Sequence, residues 1–236
     1  MSAQSATQVA SSAIPVPLPE DGASGRRFPP YGPAAVGARP GLPWHALPLL
    51  RERSGGERAE AERFIRERYA EAYGACLEHF MPRLFSVEDE GGRLVGALGV
   101  RVAAEQPLFL ERYLGRPIEQ VIAEAGTGEA LRTQVVEVGQ FAGTGPGAFR
   151  SMIAGLTAVL HREGYRWVCF TGTRALRNAF HRLGLAPRDL GAADPGCLGP
   201  AEQAAWGSYY AHAPRVVFGD IGEGYAALSL RGEGCS

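Results

Sequence analysis

The run from Thr133 to Thr173 constrains the fold more than any other part of this chain. It reads TQVVEVGQFA, then the glycine-rich GTGPG, then a helix-type stretch to about Glu163 carrying Met152, Ile153, Leu156, Val159 and Leu160, then the apolar RWVCFTGT. Strand, helix, strand predicts a parallel pair joined by a crossover, because parallel neighbours need a connection long enough to return the chain to the same end. Glycines at the first junction let the backbone approach something closely, and the opening N–H groups of the helix are unpaired there. Two readings stand open: an anion such as phosphate held on the turn, or a turn that is merely tight.

The rest of the chain narrows the class. With 236 residues, 45% of them hydrophobic, it can bury one sizeable core, or one core plus a tail. A formal charge of −1 gives no global basic field for nucleic acid or an anionic membrane, so any electrostatic partner must meet a local patch. All 24 basic residues are arginine, which excludes a lysine Schiff base. Cys76, Cys169, Cys197 and Cys235 lack metal or redox spacing, and reduced, buried thiols in a cytoplasmic protein are expected. No apolar run reaches membrane-span length, and the N-terminus lacks the pattern of a signal peptide. Residues 1–48 are rich in Pro, Gly, Ala and Ser and read as a disordered tail, with Leu42 to Leu50 as a segment that packs on the body; residues 49–236 form one domain.

Along that domain, Phe64, Ile65, Tyr69, Tyr73, Cys76, Leu77 and Phe80 recur at steps of three and four, predicting a helix that Pro82 ends or bends. LFSVEDE and RLVGALGVRVA around Gly91-Gly92 predict a hairpin. Leu108 to Ala125 reads as one broken helix or two short ones, with Pro117 in the first turn of the second. Arg174 to Leu183 is a further helix, and PRVVFGDI and YAALSL read as closing strands.

A strand, a glycine turn, a long helix, a parallel strand and a shorter helix ending in Leu-Gly-Leu resembles the acyl-CoA-binding half of the GNAT N-acyltransferases across residues 133–190. The Gln/Arg-x-x-Gly-x-Gly/Ala turn of that family fits QFAGTG (Gln140 to Gly145) or, in a second register, AGTGPG (Ala142 to Gly147). Phe180 stands where GNAT enzymes often carry a general-acid tyrosine. More specifically, AERFIRERYAEAYGACLEHFMP, RLVGALGVRVA, LFLERYL, VVEVGQFA, WVCFTGTRALRNAFHRLGL and WGSYY resemble the thermostable hemolysin family over residues 58–230. EVGQFA is also similar to the Glu-x-Ser-Arg-Phe strand of acyl-homoserine-lactone autoinducer synthases, with Gly139 and Gln140 in place of Ser and Arg, and Arg101 where those enzymes have an arginine on the preceding strand.

The resemblance implies a single α/β (α+β) domain of GNAT type with a mixed, mostly antiparallel sheet, acting as an N-acyltransferase from an acyl-CoA or acyl-carrier-protein thioester to an amine, without a metal. The alternatives are a membrane-active hemolysin and a non-catalytic acyl-binding module. Gln140, Phe141, Ala142, Gly143, Gly145 and Gly147 are the candidate donor cradle, with Thr173 and Asn178 beside it. Glu137, a carboxylate in mid-strand, is a candidate general base or amine anchor, and equally half of a buried ion pair with Arg101, itself a candidate carboxylate clamp. Period two places Glu137, Gly139 and Phe141 on one face of the strand and Val136, Val138 and Gln140 on the other. Glu105 and Glu111 are further acceptor-side candidates. Arg174, Arg177, Arg182 and Arg188 form a patch suited to CoA phosphates or an acidic carrier protein, or simply a solvated face.

Overall fold

The computed structural model describes residues 50–233. Strands β1 to β7 are Arg51–Arg53, Arg83–Glu88, Leu94–Val102, Val135–Gly143, Trp167–Gly172, Arg188–Ala192 and Arg215–Asp220, and they form one sheet in the order β1-β2-β3-β4-β5-β7-β6. Among the described residues every adjacent pair is antiparallel except β4 and β5. The mixed, mostly antiparallel sheet is therefore present, with the expected parallel pair at its centre. Helices α1 to α7 are Gly55–Tyr73, Glu111–Leu114, Ile118–Ile122, Pro146–Arg162, Arg174–Arg182, Pro200–Ala205 and Ile221–Glu233.

The helices divide between the two faces of the sheet. On one, Phe149, Met152, Ile153, Leu156 and Leu160 of α4 pack with Leu176 of α5 and Ile221 and Leu228 of α7 over Val136, Val138 and Phe170. Burying each large apolar side chain there stabilises the fold by about 1.5–3 kcal/mol. On the other face, Ile65, Tyr69 and Tyr73 of α1 pack with Met81, Phe109, Trp206 and Tyr209. Leu50 is buried in the first cluster, and the Cβ that Gly155 lacks would lie 2.9 Å from it. The tail at residues 1–48, and the rest of the packing segment that ends at Leu50, lie outside the described residues, as does Cys235.

Several expectations are corrected. Helix α1 stops at Tyr73 instead of running to Pro82, because Gly74 takes the left-handed conformation (φ 65°) and its N–H closes the last turn on Ala70 O at 2.9 Å. The apolar residues beyond it belong to a connection in which Ala75 and Leu77 are buried while Cys76 and Glu78 are exposed. Cys76 and Cys197 are accordingly exposed, and only Cys169 of the three is buried. YAALSL is part of helix α7, not a strand. An apolar run of six does not distinguish the two periods, and this one has no β-branched residue while Ala and Leu are strong helix formers. Tyr225 stacks on His161 of α4, ring centroids 4.2 Å apart, which fixes the helix on its neighbour.

Candidate active site

The pairing of β4 with β5 runs from Val135↔Trp167 to Val138↔Phe170 and then stops, although β4 continues to Gly143 and β5 to Gly172. The two strands part there, leaving a wedge between them. On its other side β4 is paired with β3 at Gly99↔Gly139 and again at Ala97↔Ala142, so Gln140 and Phe141 together oppose Leu98. This is a β-bulge, and Gln140 takes φ 51°, a region that side chains other than glycine seldom occupy. Its fully buried side chain holds it there: Nε2 donates to His79 O at 2.7 Å and Oε1 accepts from Met81 N at 2.9 Å. The extra residue shifts the alternation. Phe141 joins Val136 and Val138 over α4, and Gln140 faces the α1 side, the reverse of the strict period-two expectation.

The turn that follows separates its glycines by cause. A Cβ on Gly143 would meet Phe149 at 3.0 Å, so packing against α4 accounts for that residue. At Gly145 and Gly147 an added Cβ meets nothing within 4 Å, and neither residue has a left-handed φ. Neither crowding nor backbone geometry therefore requires glycine at these two positions. Gly145 is the N-cap of α4 and Pro146 is the first helical residue, and among the described residues no side chain caps this helix N-terminus.

Beneath the wedge, on the α4 face, lies a cavity of about 240 Å³. Val138 and Phe141 of β4, Phe170 of β5, Leu156 of α4, Phe180 beside Leu185, and Gly224 of α7 are among its walls. Phe180 stacks on Phe170 with ring centroids 4.7 Å apart. The position held by a phenol in many GNAT enzymes is thus part of an apolar wall here.

The remaining candidates fall into separate places. Glu137 and Arg101 are opposite one another on β4 and β3, 3% and 1% exposed, with Arg101 Nη1 3.8 Å from Glu137 Oε2. The Glu137 carboxylate accepts from Phe109 N at 2.9 Å and Leu110 N at 3.1 Å, so it ties the segment before α2 to the sheet. Burial pushes its pKa up to about 7, against the opposing pull of Arg101 and the two backbone donors. Glu111 accepts from Leu108 N at 2.9 Å and Ile118 N at 2.8 Å and pairs with Arg132, joining α2 to α3. Glu105 and Asn178 are exposed, Thr173 is buried. Arg174, Arg182 and Arg188 are exposed, while Arg177 is half-buried.

A group of tyrosines gathers behind the bulge. Tyr69, fully buried, takes a backbone hydrogen bond from Phe141 at the bulge, and Tyr73 and Tyr209 lie beside it, with ring centroids 6.0 Å apart for Tyr69–Tyr73 and 5.2 Å for Tyr73–Tyr209. Helical periodicity marks Tyr69 and Tyr73 as core, and WGSYY reads as core or as the lining of an apolar acyl or acceptor pocket, but nothing local announces that the two pack together.

Residues 51–225 match the family described as thermostable hemolysin. The chain belongs to the thermostable hemolysin family. Comparison with curated proteins gives no match. Among solved structures, FeeM, an N-acyl amino acid synthase from uncultured soil microbes, is 17% identical over 76% of this chain and 98% of its own, with a TM-score of 0.51. The acyl-homoserine-lactone synthase LasI is 9% identical over 74% of this chain and 91% of its own, with a TM-score of 0.50. At these identities the likeness of this thermostable hemolysin family member to both is one of fold. Among the described residues no helix is long and apolar enough to cross a membrane.

Proposed function

We propose that this protein transfers an acyl group from a CoA or carrier-protein thioester to an amine. The observation that carries the reading is the parted β4–β5 pair, with a strained bulge on one strand, a bare helix N-terminus at its end and an apolar cavity beneath. Gly145 and Gly147 leave the first N–H groups of α4 open to the donor's pyrophosphate, which the helix dipole favours. The acyl chain runs down into the cavity, and the thioester carbonyl sits at the bulge, where the Phe141 N–H polarises it once the Tyr69 hydroxyl yields the position. The neutral amine nitrogen attacks the carbonyl carbon; the C–N bond forms, the C–S bond breaks with its electron pair on sulfur, and the proton the nitrogen loses passes through solvent to the released thiolate. A thiol of pKa about 8.5 leaves as thiolate, so the phenol missing at Phe180 is not required.

Glu137 and Arg101 act as positioning residues in this reading, holding Phe109 and Leu110 behind the wedge. Exposed Arg174, Arg182 and Arg188 are the surface on which an acidic carrier protein would dock, whereas a CoA-bound donor needs only the α4 terminus.

The cavity also sets a chain length. A 150 Å³ apolar cavity holds benzene, about 25 Å³ per carbon, so this one accommodates an acyl chain of about ten carbons. The test is thiol release from acyl-CoA and acyl-carrier-protein thioesters of two to fourteen carbons with pooled amines, with mass spectrometry of products. Acceptor-dependent release peaking at medium chains supports the reading. Tight binding without turnover would leave an acyl-binding module, and neither binding nor turnover would remove the function altogether.

A further inference from the structure

The α1 face of the wedge carries polar atoms that the donor site does not use. Tyr209 is 0% exposed and Thr173 2% exposed, and among the described residues neither the Tyr209 hydroxyl nor Thr173 Oγ1 has a hydrogen-bond partner. The buried Nη1 of Arg177 has none either. Unmet buried polar atoms are costly and uncommon in native proteins, and each calls for an explanation, of which a missing ligand is one.

These three belong to one neighbourhood. Thr173 caps α5 without using its side chain, and Arg177 stands one turn further on, its N–H bonded to Thr173 O at 3.1 Å. Along β5 alternate residues Trp167 and Cys169 pack with Leu110 and with Ile118 and Ile122 of α3, and Thr173 follows the strand's end at Gly172. Gly207, whose φ of 56° lets the chain run against the end of α1, where a Cβ would lie 2.0 Å from Tyr73 O, brings Tyr209 onto the Tyr73 ring. The Arg177 charge acts on Tyr209, lowering a hydroxyl pKa that burial and the neighbouring tyrosines raise. From Tyr209 the phenols Tyr73 and Tyr69 lead back to the bulge amide of Phe141.

A guanidinium N–H, two hydroxyls and a helix N-terminus suit an anion. A donor phosphate and an acceptor carboxylate share that chemistry. Arg177, whose charge also acts on Asp189, is the guanidinium of this cluster with a buried, unpartnered N–H, and one such donor suits a single negative charge. Taking the acyltransferase reading as its basis, we propose that Thr173, Arg177 and Tyr209 bind the carboxylate of the amine acceptor, so that the substrate is an amino acid and the product an N-acyl amino acid.

The experiment compares L-amino acids with their C-terminal amides in two assays: thermal shift without donor, and transfer from decanoyl-CoA. The wild-type protein is expected to be stabilised by, and to acylate, acids in preference to amides. Arg177→Gln should raise the acceptor KM by about 10- to 100-fold, leave the acyl-CoA KM unchanged, and abolish discrimination between acid and amide. Tyr209→Phe should weaken acceptor binding while leaving Tm equal or higher, because the hydroxyl it removes has no partner in the empty protein; a purely structural tyrosine would show the reverse. Equal use of acids and amides by the wild type overturns the proposal while the acyltransferase stands. A raised acyl-CoA KM in Arg177→Gln, with the acceptor KM unchanged, assigns the anion to the donor and also overturns it. Absence of transfer with any acceptor removes the acyltransferase reading, and the amino-acid thermal shift then decides the site: carboxylate-dependent stabilisation lost in Arg177→Gln supports it, and no stabilisation overturns it.

Discussion

Filling the cavity from α7 should shorten the acyl chain that the proposed transferase accepts. Gly224 lies on its wall, and a Cβ there would meet Leu185 Cδ2 and Thr157 Cγ2 at 3.6 Å, ordinary contact distance. Gly224→Leu therefore enters without a backbone clash, and replacing a glycine in the first turn of α7 favours the helix by at most roughly 0.5–1 kcal/mol. Four added carbons at about 25 Å³ each take about 100 Å³ from a cavity of about 240 Å³, leaving room for a chain of about six carbons. Each methylene then excluded forfeits about 0.8 kcal/mol, so four cost about 3 kcal/mol, or roughly a 200-fold loss of kcat/KM for a ten-carbon donor. The assay is kcat/KM for saturated acyl-CoAs of four to fourteen carbons at a fixed, saturating amine, beside the melting temperature of each protein. A variant that melts at or above the wild-type temperature with an unchanged chain-length profile would refute the assignment of this cavity to the acyl chain.

Three other outcomes follow from the geometry. Gly145→Asp supplies the side-chain cap that α4 lacks and a negative charge at its positive end, so stability should hold or rise by a few tenths of a kcal/mol while acyl-CoA affinity falls; melting and donor titration separate the two, and joint loss would mean the turn serves only the fold. Gln140→Ala leaves Met81 N and His79 O without their partner and should destabilise the protein by about 2–4 kcal/mol in urea unfolding, more than a surface change and with an unaltered m-value. Glu137 has a folded pKa of about 7 against an ordinary 4.5, so the folded state binds the extra proton between those values and the contribution of this group to stability falls as pH rises from about 4.5 to 7. The melting temperature of the wild type relative to Glu137→Gln should therefore decline over that window, and a rise would contradict the burial argument.

How far the sequence reached can be judged residue by residue. The strands of the parallel pair and the hairpin were legible because their apolar runs are long and bounded by Gly91-Gly92 and by the glycine turn. The end of α1 was not, since Cys76, Leu77 and Phe80 continue a three-four spacing that an extended segment also satisfies over so short a stretch. The bulge was invisible for a different reason: it depends on the buried Gln140 bonding to His79 and Met81, some sixty residues away, and no local pattern records such a bond. Glu137 stood out correctly as an anomaly, a carboxylate in an apolar strand, but whether it met substrate or backbone depended on where Phe109 and Leu110 came to rest.

The misread C-terminus carries the larger lesson for function. As a strand, YAALSL would have extended the sheet; as helix α7 it packs on α4 and closes one side of the cavity. The same wedge then has two unlike faces, one apolar and walled by Phe141, Phe170 and Phe180, the other lined by Tyr69, Tyr73 and Tyr209 beside Arg177. The bulge makes the division possible: by shifting the alternation it sends the Phe141 ring toward the cavity while the Phe141 backbone reaches the tyrosines. A regular strand would have put that ring on the Glu137 side. One extra residue in β4 thus separates an apolar face from a polar one across a single peptide unit, which is the arrangement that the proposed transfer of an acyl chain to an amine bearing a carboxylate demands.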